Sequence, residues 1–209
     1  MIIVDYGLGN TGSILNAFKK IGADASVSGD AEEISNTDGV IFPGDGAAGQ
    51  AMKNLKNRKL IEPLKDYISG GRPFLGICLG MQILLTESQE GNTECLDIIQ
   101  GKVRKFNKKH KIPQIGWNKV EIQDSGYKLQ TEKAIRENLF RNIKDSSYFY
   151  FINSYYCDPL DRSIILATTD YGEEFCSVFI KENIVGVQFH PEKSGSAGYQ
   201  FLKNWINLC

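Results

Sequence analysis

The chain has 209 residues, 42% of them hydrophobic, and its 24 basic and 25 acidic side chains leave a formal charge of −1. That length and apolar content suit one domain over residues 1–209, and the near balance of charge argues against nucleic acid or an anionic membrane as the principal partner. The apolar stretches fall far short of the roughly 20 residues that span a bilayer, and Met1-Ile2-Ile3-Val4-Asp5 enters a strand rather than a charged leader, so a cytoplasmic protein is expected.

The first half reads as strand and helix in alternation. Ile2 to Val4 is a strand, followed by a helix that places Ile14, Leu15, Phe18 and Ile21 on one face. Val40 to Phe42 is the next strand, with helices from about Ala51 to Asn57 and Leu60 to Ile68 after it. Phe74 to Ile77 forms another, leading into a helix expected from Leu79 to Glu87. Continuous apolar strands separated by helices imply a parallel sheet covered on both faces, with its ligand site at the carboxyl ends of the strands. Asp5-Tyr6-Gly7, Pro43-Gly44 and Cys78 all fall there.

The second half carries short strands at Val103 to Phe106, Lys119 to Ile122, Tyr148 to Ile152, Ile164 to Thr168, Ser177 to Ile180 and Ile184 to Phe189. They read as a mixed or antiparallel extension of the same sheet, closed by a helix from about Ala197 to Leu208. The basic run Lys102 to Lys111 reads as a solvated hairpin, and Trp117 and the aromatic strand Tyr148 to Phe151 as core or interface packing.

Cys78 lies in Gly76-Ile77-Cys78-Leu79-Gly80, where a strand turns into a helix between two glycines. This is the thiol counterpart of the Gly-x-Ser-x-Gly elbow, and a helix N-terminus there favours thiolate over thiol. A nucleophilic thiol in acyl transfer needs a base, and the chain has two histidines. His110 sits in the lysine-rich loop, whereas His190 follows the strand Ile184 to Phe189 and precedes Pro191-Glu192. From there His190 can meet Cys78 across one sheet edge while Glu192 accepts the other ring N–H. The oxyanion donors are then expected to be the N–H of Leu79 and one from the loop Pro43-Gly44-Asp45-Gly46. The five cysteines show no Cys-x-x-Cys spacing; Cys95, Cys157 and Cys176 read as small hydrophobes, and neither a metal site nor a cofactor is expected from these residues.

Gly76 to Gln82 and Gly186-Val187-Gln188-Phe189-His190-Pro191-Glu192 resemble the two signature segments of class I glutamine amidotransferases of the triad type. Asp5 to Asn10, Pro113 to Asn118, Tyr150 to Tyr156 and Glu192-Lys193-Ser194 are similar to the glutaminase subunits of imidazole glycerol phosphate synthases, so the resemblance runs over essentially the whole chain. It implies a flavodoxin-like fold with a mostly parallel central sheet, helices on both faces and an antiparallel extension. It implies hydrolysis of glutamine through a thioester on Cys78, with His190 as base and Glu192 as its orienter. Gly46, Gln82, Ser154 and Tyr155 would hold glutamine or its oxyanion. Asn10 and Lys193 would face a (β/α)8-barrel cyclase subunit, forming a heterodimer in which ammonia is channelled to histidine biosynthesis.

The chain departs from that family at Asp45, where a small apolar residue is usual, and at Asn153, where histidine commonly precedes Ser-Tyr-Tyr. A carboxylate pointing at a developing oxyanion opposes catalysis, so Asp45 is expected to point outward or to bond at the base of its loop. Three other readings stay open. An ammonia-supplying subunit could serve sugar amidation instead. Gly7-Leu8-Gly9-Asn10-Thr11-Gly12 with Asp30 downstream matches a dinucleotide fingerprint. A non-catalytic interaction protein could also be built on this fold.

Overall fold

The computed structural model describes residues 1–107, 111–123, 135 and 137–208. The chain opens with β1 (Ile2–Val4), α1 (Thr11–Lys20), β2 (Ser26–Ser28), α2 (Ala31–Ser35) and β3 (Val40–Phe42). Asn10 caps α1 by accepting the Ser13 N–H, and Asp30 caps α2 by accepting from Glu32 and Glu33. The glycine fingerprint and its downstream acid are thus helix starts. Next come α3 (Ala48–Asn57), α4 (Ile61–Ser69), β4 (Phe74–Ile77) and α5 (Leu79–Gln82).

The expected helix from Leu79 to Glu87 ends after Gln82, and Leu85–Ser88 is strand β5. Ile83, Leu84 and Leu85 are all fully buried, and β5 pairs in parallel with β7 (Ile99–Lys105) through Leu85 and Ile99. An apolar run this short fits helix or strand equally well, and the open sheet edge decides it. The short strand β6 (Thr93–Glu94) completes that edge.

Then follow β8 (Gln114–Lys119), β9 (Glu121–Ile122), β10 (Tyr148–Asn153), β11 (Tyr155–Pro159), β12 (Ile165–Asp170), β13 (Glu174–Lys181), β14 (Ile184–Val187) and the last helix, α6 (Gly195–Ile206). The expected strand Lys119 to Ile122 is two strands broken at Val120. Lys102, Arg104 and Lys105 are not in a hairpin arm: β7 lies between β11 and β5 in the main sheet, with all three of these side chains exposed. His110 and the run's Lys108 and Lys109 lie outside the described residues. Strands β2, β5, β6 and β11 and helix α2 have no counterpart among the sequence expectations.

The principal sheet runs β2-β1-β3-β4-β14-β13-β11-β7-β5-β6. From β2 to β14 all pairings are parallel; β13 with β14, β11 with β13, and β11 with β7 are antiparallel. This is the parallel sheet with antiparallel extension expected from the sequence. Alternate side chains feed two cores: Ile2, Val4, Phe42 and Phe74 pack with Leu55 and Leu64 on one face, and Ile3, Ile41 and Leu75 with Phe18, Phe201 and Trp205 on the other. A separate antiparallel ribbon, β8 with β10, stands beside the sheet.

Three parallel strands set the site. β3, β4 and β14 are neighbours, and Ile77 of β4 is in register with Val187 of β14. The residues leaving their carboxyl ends, Pro43 onward, Cys78 and Gln188 onward, therefore emerge side by side.

Candidate active site

Cys78 connects β4 to α5 with φ 54° and ψ −110°, a conformation that costs a non-glycine residue about 1–3 kcal/mol. The surroundings hold it there. Its N–H donates to the Val187 carbonyl at 2.8 Å, and its own carbonyl accepts from Met81 and Gln82 at 3.0 and 3.1 Å. Gly80 lies so close to β3 that a Cβ on it would stand 1.9 Å from the Phe42 oxygen. The turn therefore needs glycine at that position, and it sets Cys78 at the wall of a cavity.

The Cys78 sulfur lies 3.7 Å from the Ile152 carbonyl and 3.5 Å from the Gln188 carboxamide nitrogen, and Cys78 and His190 line the same cavity. His190 Nδ1 is 2.9 Å from a Glu192 carboxylate oxygen, and both side chains are buried. Burial alone pushes the imidazole down. The charge of Cys78 and its hydrogen bond, followed by the hydrogen bond and charge of Glu192, outweigh burial and raise His190 to about 10. The backbone around the imidazole is pinned from β10: His190 N–H donates to the Tyr150 carbonyl, and Ser194 Oγ donates to the His190 carbonyl while accepting from Tyr150 N–H.

Beside the thiol is a cavity of about 290 Å³, lined by Cys78, Leu79 and His190 together with Asn153, Ser154 and Tyr155. As the first residue of α5, Leu79 has an N–H with no partner inside the helix, and it sits next to the sulfur-bearing residue. Gly44 packs directly on this turn: a Cβ there would lie 2.7 Å from Leu79 Cβ and 2.8 Å from Gly80 N. The loop after β3 is tied to the loop after β1 by two bonds, Tyr6 Oη to the Pro43 carbonyl at 2.9 Å and Gly9 N–H to Asp45 Oδ1 at 3.0 Å. The Asp45 side chain is thus engaged at the neighbouring loop, not at the base of its own. Gly46, with φ 90°, and Asp45 both reach the cavity wall.

Of the other expected residues, Gln82, Ser154, Tyr155 and Lys193 line the cavity. Gln82 is nearly enclosed, and both its amide hydrogens are used: they go to the Tyr155 carbonyl at 2.9 Å and Gln188 Oε1 at 3.0 Å. Asn10 is not at the cavity; it caps α1 on the exposed loop that carries Gly9. Asn153 directs its amide nitrogen to the Tyr155 carbonyl at 3.0 Å and leaves Oδ1 without a partner.

Three neighbours were not assigned a role from sequence. Glu90 lines the cavity and accepts the Ala48 N–H at 2.7 Å, capping α3 from another segment. Ile152 contributes a backbone carbonyl, which no side-chain pattern can announce. Gln188 is the exception, since it lies two residues before His190 in the segment that the sequence already singled out.

The family model for class-I glutamine amidotransferases matches residues 2–208. An imidazole glycerol phosphate synthase subunit HisH from Chlorobaculum tepidum is 47% identical over 211 residues, covering all of both chains. A protein of the same name from Methanosarcina barkeri is 41% identical, covering all of this chain and 98% of its own. Among solved structures, a glutamine amidotransferase superposes with a TM-score of 0.74 at 16% identity over 99% of this chain and 97% of its own. PurLQS from Thermotoga maritima gives 0.73 at 16% identity with the same coverage; at such identity these two speak for the fold alone. The chain belongs to the class-I glutamine amidotransferases and, within them, to the HisH subunits of imidazole glycerol phosphate synthase.

Proposed function

We propose that this chain hydrolyses glutamine to glutamate and ammonia at Cys78 and delivers the ammonia to a (β/α)8-barrel cyclase subunit, with which it forms a heterodimer. The observation that carries this reading is the contact of a strained elbow cysteine with a buried histidine that Glu192 orients, beside a cavity of about 290 Å³. The 47% identity to a HisH subunit over full length supports the choice of synthase.

In this mechanism the Cys78 thiolate attacks the side-chain carbonyl carbon of glutamine. The oxygen of the tetrahedral intermediate takes the Leu79 N–H and a second N–H from the Pro43–Gly46 loop; a well-placed donor of this kind is worth about 2.7–4 kcal/mol. His190, held protonated by its charged neighbours, gives its proton to the departing amine, leaving a thioester and free ammonia. The neutral imidazole then takes a proton from water, which attacks the thioester and releases glutamate. Glu192 holds the ring and offsets its charge throughout.

Gln82, Ser154 and Tyr155 shape the cavity around the substrate, and the Glu90 carboxylate suits its α-ammonium. We assign the transmission of the partner's presence to Lys193, which lines the cavity, and to Asn10, which follows the Gly9 that bonds Asp45. The test is glutamate release by the purified chain, alone and with a barrel cyclase loaded with its phosphoribosyl aminoimidazole carboxamide ligand, with Cys78→Ala as control. Stimulated turnover that depends on Cys78 is expected. Unstimulated, Cys78-dependent turnover would assign the ammonia to another acceptor, such as a sugar, and no turnover in any mixture would overturn the glutaminase reading.

A further inference from the structure

The short α5 raises a question about the nucleophile. A helix of four residues has little macrodipole, so a thiolate at Cys78 needs other support. The positive charge of a protonated His190 supplies part of it. The other polar side chain on the sulfur is Gln188, whose Nε2 lies 3.5 Å away.

Which end of that carboxamide meets the sulfur follows from an acceptor that has no alternative. The Tyr155 carbonyl can only accept, so the end of Gln82 that faces it, 2.9 Å away, is the nitrogen. The same nitrogen is 3.0 Å from Gln188, whose facing atom must therefore be the oxygen. The remaining end of Gln188 is then the NH2 group, aimed at Cys78. Asn153 reinforces the starting point by donating to the same Tyr155 carbonyl. Gln188 is fully buried and absent from the cavity wall, and its own N–H is engaged by the Ser177 carbonyl at 2.9 Å. It approaches the sulfur from behind and is out of reach of the substrate.

We propose that Gln188 is a catalytic residue that donates its carboxamide N–H to the Cys78 sulfur and stabilises the thiolate both as nucleophile and as leaving group. The sulfur has two hydrogen-bonding states. As a thiol it donates to the Ile152 carbonyl; once its proton has passed to His190, it accepts from Gln188 and from the imidazolium. A donor bound to an anion is worth more than one bound to a neutral group, so the bond is strongest before the thioester forms and again as water displaces the sulfur. Gln82 acts through Gln188 as a positioning residue.

The inference rests on Cys78 being the nucleophile, so its test uses a readout that needs no glutamine. The pH dependence of Cys78 alkylation by iodoacetamide, followed by mass spectrometry, is compared between wild type, Gln188→Leu and Gln188→Glu. In Gln188→Leu the midpoint should rise by about one pH unit, with kcat for glutamine falling roughly 10-fold or more and KM changing little. Gln188→Glu keeps the volume if the leucine variant fails to fold. Its ionised carboxylate cannot donate, so alkylation at neutral pH should be slower still. An unchanged alkylation midpoint in a folded variant overturns the proposal, as does a change confined to KM. Absence of glutamine turnover in the wild type would instead overturn the glutaminase reading.

Discussion

Among single residues, Cys78 shows a conflict between stability and chemistry. Its backbone conformation is one that glycine adopts at little cost and that alanine shares with cysteine as a strain. Cys78→Gly should therefore be at least as stable as Cys78→Ala in thermal denaturation, by about 1 kcal/mol, the reverse of the usual order, while both lack turnover. A lower melting temperature for the glycine variant would mean that the turn is not strained. His190 makes a second residue-level prediction. Its folded-state pKa, raised to about 10, lies above the unfolded value of about 6.5. Its contribution to stability is thus fully present below the unfolded value and is lost as pH rises through about 10. Glu192→Gln removes one source of that elevation, so the fall in urea midpoint, which starts near the unfolded value of about 6.5 in both proteins, should be smaller in the variant and complete at a lower pH than in wild type. Equal profiles for the two proteins would remove Glu192 from the coupling. The buried residues Cys78, His190 and Glu192 were readable from sequence because each sits in a short, patterned segment. Gln188 was visible in the same segment, but its function depends on the carbonyl of Tyr155, a residue far away along the chain.

At the scale of elements, the decisive contacts are between loops and turns. Gly80→Ala would drive a methyl group into the Phe42 carbonyl of β3, a backbone atom that cannot step aside. A loss of about 1–3 kcal/mol is expected in chemical denaturation, with turnover falling because the elbow is displaced. A neutral outcome would show that β3 and α5 can separate without cost. The bond from Gly9 N–H to Asp45 joins the loop after β1 to the loop expected to supply an oxyanion donor. Asp45→Val breaks that tie and removes a negative charge from the cavity wall, so basal glutamine turnover should rise several-fold and stimulation by ligand-loaded cyclase should shrink. Unchanged values for both would dismiss Asp45 as a restraint. The helix expected from Leu79 to Glu87 failed at this same scale: local apolar spacing could not reveal that Leu85 would find a strand partner in Ile99. The strands β5, β6 and β11 were illegible for the same reason, since edge and extension strands are defined by their neighbours more than by their own composition.

For the molecule as a whole, function depends on strand order. Residues 78 and 190 meet because β14, the last strand in sequence, inserts next to β4 in the sheet. The β8–β10 ribbon then lies across the sheet end with Phe149 and Phe151 buried beneath it and Ile152 beside the thiol. Its other face leaves Ile115, Trp117 and Tyr148 more than half exposed, at 62%, 54% and 53%. Such a patch on a chain expected to work as a subunit suits a protein interface. Trp117→Ala should weaken association with the cyclase, measured by analytical ultracentrifugation, while leaving basal turnover intact; undiminished association would place the interface elsewhere.

Periodicity and glycine placement were enough to locate the parallel strands and the turn at Cys78, because each is encoded within a few adjacent residues by steric and hydrophobic rules. The length of α5, the strand identity of Leu85–Ser88, the tie between Gly9 and Asp45 and the hydrogen-bond relay from Tyr155 through Gln82 and Gln188 to Cys78 came only with the fold. Each of these depends on groups distant in sequence competing for one another's hydrogen bonds and buried surface, and that competition is settled only once strand order has brought them together.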